Sequence, residues 1–263
     1  MSGPLLLDLP WPAPSPALAG FTSTRQGGVS RGAFDSLNLG LNTQDSGQAV
    51  LENRNLAFRG RALDPAKAVH LQQVHADRIA EAGTRDAGRG AQDWAQGLPA
   101  CDAVFTRMRG LPLCIGHADC LAVAVADADA GLIGLAHAGW RGALAGLPGK
   151  LALRLIAEGA KPERLQAVLS PCLGPGSLEL GEDEHRLFSQ AFERTEDFSS
   201  SLRQGHFYLN LWACVRRQLI EAGLDGLRIQ GQELDTARHP ELFYSHRRDQ
   251  GKTGRMLTVA ALI

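Results

Sequence analysis

The chain has 263 residues, of which 44% are hydrophobic and 21% charged, and its formal net charge is −1. These proportions are typical of a soluble globular protein that can bury a substantial core. A near-neutral charge excludes a global basic field that would recruit nucleic acid or an anionic membrane, and no apolar run approaches the ~20 residues of a membrane helix.

The first twenty residues are expected to form a strand or an extended arm. They lack a basic region, and Asp8 and Pro10 interrupt their short apolar run, so a signal peptide is not expected. The five cysteines are odd in number and widely spaced, without a CxxC pair. This pattern favours free thiols in a reducing compartment, and therefore the cytoplasm.

Hydrophobic patterning predicts helices and strands that mix without strict alternation, which indicates an α+β fold. Helices are predicted at residues 48–59, 147–158, 182–193 and 211–222. Strands are predicted at residues 103–106, 111–115, 121–126, 132–137, 165–170, 207–209, 227–230 and 256–262. Residues 83–100 are rich in Gly, Asp and Arg and are expected to form a surface loop or lid. No domain boundary is evident, so we expect one domain over residues 1–263.

Two of the strands carry residues that suit a metal. The run CLAVAVAD begins at Cys120, the run GLIGLAHAGW carries His137, and a short polar turn joins them. A hairpin of these strands would bring a thiolate and an imidazole to one end. If His75 of LQQVH also reaches that end, three protein ligands leave a tetrahedral position open, as in catalytic zinc sites.

Several sequence motifs resemble those of the YfiH family, also called laccase-domain or polyphenol-oxidase-like proteins. They are FTSTRQGGVSRGAFDSLNLG, ENRNLAF, QVH, ADCLAV, AHAGWRG, LSPCLGP and YSHRRDQGKTGRMLTVAAL, and they cover nearly the whole chain. The resemblance implies that the histidine of QVH, the cysteine of ADC and the histidine of AHAGW are metal ligands and catalytic. These are His75, Cys120 and His137 here.

The resemblance also implies a fold and an activity. The fold would be mixed β-sheets packed on each other with helices on the outer faces, an αββα-type sandwich related to toxin cysteine hydrolases. The activity would be zinc-dependent phosphorolysis of purine nucleosides such as adenosine, inosine and methylthioadenosine, with adenosine deamination beside it. The expected partners are therefore small molecules, a nucleoside and phosphate, and no oligomer is implied.

Zinc is the expected metal, although copper binds histidine and thiolate ligands more tightly. A multicopper oxidase needs closely paired histidines, and this chain has eight histidines without one His-x-His pair. We therefore interpret copper-dependent polyphenol oxidation as adventitious, with copper in the zinc site.

Basic and polar residues supply candidates for substrate binding. The loop HRRDQGKTGR contains Arg247, Arg248, Lys252 and Arg255, and a helix expected after Gly142 could offer its N-terminus to an anion. GKT is not a P-loop, because position 246 is His and a strand follows. Family positions favour Arg25, Asn38, Arg54 and Gln73 as substrate contacts, and Arg248 of this basic loop is the fifth candidate.

Other residues near the motifs have less specific interpretations. Asp119 could orient a ligand histidine or be a turn residue, and Cys172 is expected to line the back of a pocket. Cys114 and Cys214 are expected to fill the core, and His117 is treated as a non-ligand.

Two other classes of function remain open. One is a cysteine hydrolase or amidase in which Cys120 is the nucleophile and His137 or His75 the base. A zinc amidase acting on cell-wall precursor peptides is a variant of it. The other is a non-catalytic, zinc-stabilised interaction domain, which three ligands rather than four disfavour.

Overall fold

The structure, a computed structural model, describes residues 3–263. Its strands in chain order are β1 Leu6–Asp8, β2 Leu18–Ser23, β3 Val69–His70, β4 Ile79–Glu81, β5 Ala103–Thr106, β6 Leu113–His117, β7 Leu121–Asp127, β8 Leu132–Ala138, β9 Gln166–Leu169, β10 Glu179–Gly181, β11 Ser199–Arg203, β12 His206–Leu209, β13 Ile229–Gly231 and β14 Met256–Leu262. The α-helices are α1 Gly47–Phe58, α2 Trp140–Leu144, α3 Leu147–Ala157, α4 Glu182–Ala191 and α5 Leu211–Glu221. The one-domain organisation expected for residues 1–263 stays a prediction, and Met1 and Ser2 lie outside the described residues.

Two mixed sheets form the centre of the fold. The larger has the strand order β13-β9-β7-β8-β5-β4, and only its two outermost pairs are parallel. The second has the order β1-β2-β14-β6-β3, with one parallel pair, β3 with β6. A small antiparallel sheet, β10-β12-β11, completes the described strands.

Period-two alternation packs the two large sheets face to face. Ala122 and Ala124 of β7 and Leu135 of β8 pack in one cluster with Ile115 of β6 and Ala260 of β14. Alternate residues of a strand point to opposite faces, so small alanines on β7 face the other sheet. The sheets therefore share one buried interface.

Helices cover the outer face of each sheet. Val123 and Val125 of β7 pack with Leu151 of α3 and Val215 of α5. On the other side, a second cluster joins β2 and β14 to α1: Phe21, Val259, Ala57 and Phe58. The predicted α+β sandwich with helices outside is confirmed, whereas its relation to toxin cysteine hydrolases stays a prediction.

The predicted β7–β8 hairpin is confirmed, with Leu121 opposite Ala138 and Asp127 opposite Leu132. A helix begins after Gly142 as expected, α3 at Leu147, but a short helix that was not expected, α2, already begins at Trp140, and a break at Gly146 separates the two. Among the described residues, no helix has the length and apolar character needed to cross a membrane.

Candidate metal centre

Three side chains from distant parts of the chain converge at one end of the β7–β8 hairpin. One donor atom each from His75, Cys120 and His137 lies within 4.8 Å of the other two. The Cys120 Sγ is 3.9 Å from His75 Nε2, and the two imidazole centroids are 4.9 Å apart. His137 is buried, Cys120 is half-buried and His75 is exposed. The structure therefore brings the sequence-predicted trio together.

Backbone geometry brings the three residues into position. Cys120 directly precedes β7, and His137 lies in β8 opposite Ala122. The φ angle of His75 is 60° and that of Asp119 is 94°, in the left-handed region that side chains rarely adopt. Strained backbone at a site like this persists only when surrounding contacts hold it.

Gly139 allows the chain to pass the thiol closely. A Cβ at this position would lie 2.7 Å from Cys120 Sγ and 3.5 Å from His75 Cδ2. The glycine of AHAGW is therefore required by a close approach of backbone to sulfur. Gly142 is similarly tight, since its Cβ would lie 3.0 Å from the His137 carbonyl oxygen.

Asp102 is the functional residue that sequence reasoning missed. Its carboxylate is fully buried and accepts the His137 Nδ1–H at 2.9 Å. It also accepts the backbone N–H groups of Val74, His75 and Ala76 at 2.9 to 3.0 Å. One carboxylate thus fixes the tautomer of one ligand and the backbone that carries another.

One of the two interpretations of Asp119, that it orients a ligand histidine, is wrong. Its carboxylate accepts the Thr236 hydroxyl at 2.7 Å and the Arg247 backbone N–H at 2.6 Å. The alternative interpretation, a turn residue, agrees with its φ angle. Asp119 therefore connects the start of β7 to the basic loop, residues 246–255.

The thiol and the imidazole of the centre stabilise each other's charge. Burial opposes ionisation of Cys120, but the charge of His137 and hydrogen bonds from both histidines lower its pKa to about 6. Burial likewise opposes charge on His137, but the Cys120 thiolate and Asp102 raise its pKa to about 9. Without a metal, each charged form, thiolate and imidazolium, therefore favours the other.

The donor set fits a metal ion. A tetrahedral ion at ~2.0–2.3 Å from its ligands holds neighbouring donor atoms roughly 3.3–3.8 Å apart. The 3.9 Å between Cys120 Sγ and His75 Nε2 is close to that separation. Two imidazoles and one thiolate suit zinc and copper, and three ligands leave a position for substrate.

The centre opens into a cavity of about 310 Å³. This volume lies at the lower end of the range for small-molecule sites. Trp94 from the 83–100 loop and Trp140 of α2 also line it, as do seven leucines, among them Leu173, Leu178 and Leu211. The loop predicted at 83–100 is confirmed, with only short 3-10 turns inside it.

Two of the five predicted substrate contacts, Arg54 and Gln73, line this cavity. The buried Arg54 donates from Nε to the Leu39 carbonyl and from Nη1 to the carbonyls of Gly90 and Ala91. Burial lowers its pKa to about 10. The Gln73 amide is engaged at both ends by the backbone of Gly116. Both side chains therefore support the walls as well as facing the cavity.

The other three predicted contacts do not line the cavity. Arg25 donates to the carbonyls of Asp35 and Pro240 and lies 4.8 Å above the Tyr244 ring. Arg248 is paired with Asp249 at 2.8 Å. Buried Asn38 uses its side chain within the turn that follows β2 and on the backbone of Arg255.

The cysteines follow the predictions in part. Cys214 lies in the core, as expected. Cys172 is fully buried in the same core and does not line the cavity, so its expected pocket position is wrong. Cys114 is buried but also lines the cavity. His117 lines the same cavity but is not one of the grouped donors, and its Nε2 pairs with the Thr258 hydroxyl.

Known proteins resemble this chain over nearly its whole length. The model of a family described as multi-copper polyphenol oxidoreductase laccase matches residues 19–263. Purine nucleoside phosphorylase YlmD of Geobacillus stearothermophilus is 36% identical over 92% of this chain and 88% of its own. Purine nucleoside phosphorylase YfiH of Shigella flexneri is 33% identical over 96% and 97%.

Solved structures agree. The YfiH protein of Bacillus licheniformis matches with a TM-score of 0.90 and 32% identity, covering 94% of this chain and 93% of its own. YlmD of Geobacillus stearothermophilus matches with the same TM-score and identity over 94% and 92%. This chain therefore belongs to the laccase-domain family that includes the YfiH and YlmD proteins.

Proposed function

We propose that the protein is a zinc-dependent purine nucleoside phosphorylase acting on adenosine, inosine and methylthioadenosine. The observation that carries the proposal is the open centre of His75, Cys120 and His137 in the wall of a cavity. The names of relatives that match over nine-tenths of the chain support the substrate class. The partners are then a nucleoside and phosphate.

Zinc is the proposed metal, in spite of the family's multi-copper description. Within residues 3–263, a single cluster of histidine, cysteine or carboxylate side chains has the spacing of a metal site. A mononuclear centre plus a trinuclear cluster needs many more ligands than these three. Copper oxidation chemistry is therefore proposed only as an adventitious result of copper in the zinc site.

In phosphorolysis, a phosphate oxygen bonds to C1′ of the sugar as the bond from C1′ to the purine nitrogen breaks. The purine leaves with the electron pair and takes up a proton. Zinc, when bound, supplies Lewis acidity toward a substrate oxygen or water. Asp102 keeps the His137 ring in one tautomer and orientation.

The apolar wall of the cavity suits a purine base. Trp94 and Trp140 offer aromatic surface on which a planar heterocycle can stack. The leucines Leu173, Leu178 and Leu211 extend this surface. A polar ribose would then face the side of the cavity that carries the metal ligands.

Adenosine deamination is proposed as a second activity of the same centre. In this reaction a water oxygen bonds to C6 of adenine, the bond from C6 to the amino nitrogen breaks, and ammonia leaves with the proton given up by the water. Zinc held by His75, Cys120 and His137 would supply Lewis acidity toward that water. Hydrolytic attack and phosphorolysis need different orientations of one substrate, so the two activities should compete for a single site.

A cysteine hydrolase is the second candidate, and one observation favours it. Asp102, His137 and Cys120 follow one another as orienting group, base and thiol, which is the order found in nucleophilic catalysis. Under this alternative, metal-free protein should be fully active. It should lose that activity when iodoacetamide alkylates Cys120. Loss of activity on zinc removal alone contradicts the alternative.

Product analysis tests the phosphorylase directly. Zinc-loaded protein incubated with inosine should form hypoxanthine and ribose 1-phosphate only when phosphate is present, and adenosine without phosphate should give inosine. Protein stripped of zinc serves as the control and should form neither product. Free ribose made independently of phosphate contradicts phosphorolysis.

The proposed compartment is the cytoplasm. The structure contains five free cysteines, four of them buried, as expected where thiols stay reduced. A near-neutral net charge also agrees with small-molecule partners rather than nucleic acid or membrane.

A further inference from the structure

We propose that Arg255 is the phosphate-binding residue of the cavity, an assignment that rests on the proposed phosphorylase function. The ligand is a phosphate group, and free inorganic phosphate is its proposed source. Arg255 lines the same cavity as the three metal ligands. It lies in the basic loop, outside the residues that family positions favour.

Unlike Arg248, Arg255 has no carboxylate oxygen within 4.0 Å among the residues the structure describes. Asp119 is the acidic residue in the cavity lining, and its two oxygens already accept from Thr236 and from the Arg247 backbone. A guanidinium without a carboxylate partner, half-buried beside a cavity, retains its charge for a ligand.

The guanidinium is held in place at one nitrogen only. Nη1 donates to the carbonyls of Thr253 and Gly254 at 3.0 and 2.9 Å. In residues 3–263, no acceptor engages Nε or Nη2 of this side chain. These two nitrogens form the edge that binds two oxygens of a phosphate at once.

The turn at residues 38–40, shortly before α1, fixes the backbone and the first side-chain carbons of this arginine. Asn38 accepts the Arg255 backbone N–H at 2.8 Å, and the Arg255 carbonyl accepts the Leu39 N–H at 3.0 Å. A Cβ on Gly40 would lie 2.7 Å from Arg255 Cγ. The LNLG motif is therefore shaped around Arg255, with the Asn38 oxygen on the Arg255 backbone and the Asn38 Nδ2 donating to Thr43 and Asp45.

The other cavity arginines are less suited to this role. Arg54 donates from Nε and Nη1 to three carbonyl oxygens, so only part of its guanidinium remains. Arg247 is exposed and reaches the Glu179 carbonyl at 3.4 to 3.5 Å. Arg255 combines partial burial, a fixed backbone and two unengaged nitrogens.

The test compares Arg255→Gln with Lys252→Gln in zinc-loaded, full-length protein. Lys252 carries the same charge three residues away, is exposed and lies outside the cavity lining. Calorimetric titration with inorganic phosphate should show binding weakened roughly ten- to a hundredfold in Arg255→Gln, the effect of losing a charge-assisted hydrogen bond. Lys252→Gln should bind phosphate like the wild type.

Two further variants separate charge from geometry. Arg255→Lys keeps the charge but loses the paired N–H donors, so it should recover only part of the affinity. Gly40→Ala keeps Arg255 but displaces its stem, so it should also weaken phosphate binding. Zinc content should stay at the wild-type value in every variant, and melting temperature, measured alongside, verifies that each variant is folded under the conditions of the titration.

The outcomes separate this inference from the proposed function. If the wild type forms ribose 1-phosphate and Arg255→Gln keeps the wild-type phosphate requirement, the Arg255 assignment is overturned alone. If the wild type neither binds phosphate nor forms a sugar phosphate, both fail. If a nucleoside 5′-monophosphate binds through Arg255 while inorganic phosphate does not, free phosphate is the wrong source.

Discussion

At the scale of single residues, Asp102 connects two metal ligands that are far apart in the sequence. Its carboxylate binds the His137 ring and the backbone on both sides of His75. The hydrogen bonds from His137 and from the backbone hold the pKa of Asp102 below its usual value, although burial favours the neutral form. A charged, immobile carboxylate therefore pre-arranges the donors before a metal arrives.

Asp102→Asn should weaken zinc binding about ten- to a hundredfold, as is typical when a partner of a ligand histidine is lost. The amide can present its NH2 group to His137 Nδ1 and so favour the wrong tautomer. Zinc affinity is measured by competition with a chromophoric chelator. Asp77→Asn, which removes an exposed carboxylate near His75, is the control, and an unchanged affinity in Asp102→Asn contradicts the assigned role.

At the scale of elements, a hairpin and a loop assemble the centre. The β7–β8 hairpin fixes Cys120 and His137 through its register, and Gln73 ties the His75 segment to β6 through Gly116. Arg54 fixes the 83–100 loop that carries Trp94. The position of each ligand thus depends on contacts with a neighbouring element.

Gly139→Ala tests the close packing around the thiol. The new Cβ would lie 2.7 Å from Cys120 Sγ, so the sulfur or the α2 start must move. We expect zinc affinity to fall by at least about tenfold, since ligand positions must hold within a few tenths of an ångström. Gly47→Ala, whose Cβ meets open space, is the control, and wild-type zinc affinity in Gly139→Ala would show that the packing is unimportant.

At the scale of the whole molecule, the sequence predicted the long elements better than their arrangement. Strands at 103–106 and 256–262 coincide with β5 and β14, because long apolar runs carry a clear periodic signal. Among the missed strands, β3 and β4 have only two and three residues and are set by tertiary pairing, whereas β2 and β11 have six and five residues. The sandwich itself was expected only from the family resemblance.

The residues of the candidate site were also predicted only in part. The three ligands lie in distinctive sequence motifs, QVH, ADC and AHAGW, so they could be predicted from the sequence alone. Asp102 lies in CDAVF, where an aspartate next to a strand has many ordinary roles, and its partners are 26 to 35 residues distant. Arg25 and Arg248 carry the charge expected of a phosphate site, but only the folded chain shows that their guanidinium groups are turned to other partners.

The most direct test of the central claim is zinc stoichiometry in the wild type and in Cys120→Ser. Elemental analysis of purified protein should give close to one zinc per chain for the wild type and a large loss in the variant, with nucleoside phosphorolysis lost in parallel. Arg109→Gln, a substitution outside the cavity lining, should keep both. Retention of zinc by Cys120→Ser together with abolished activity would contradict the metal centre and favour a nucleophilic cysteine.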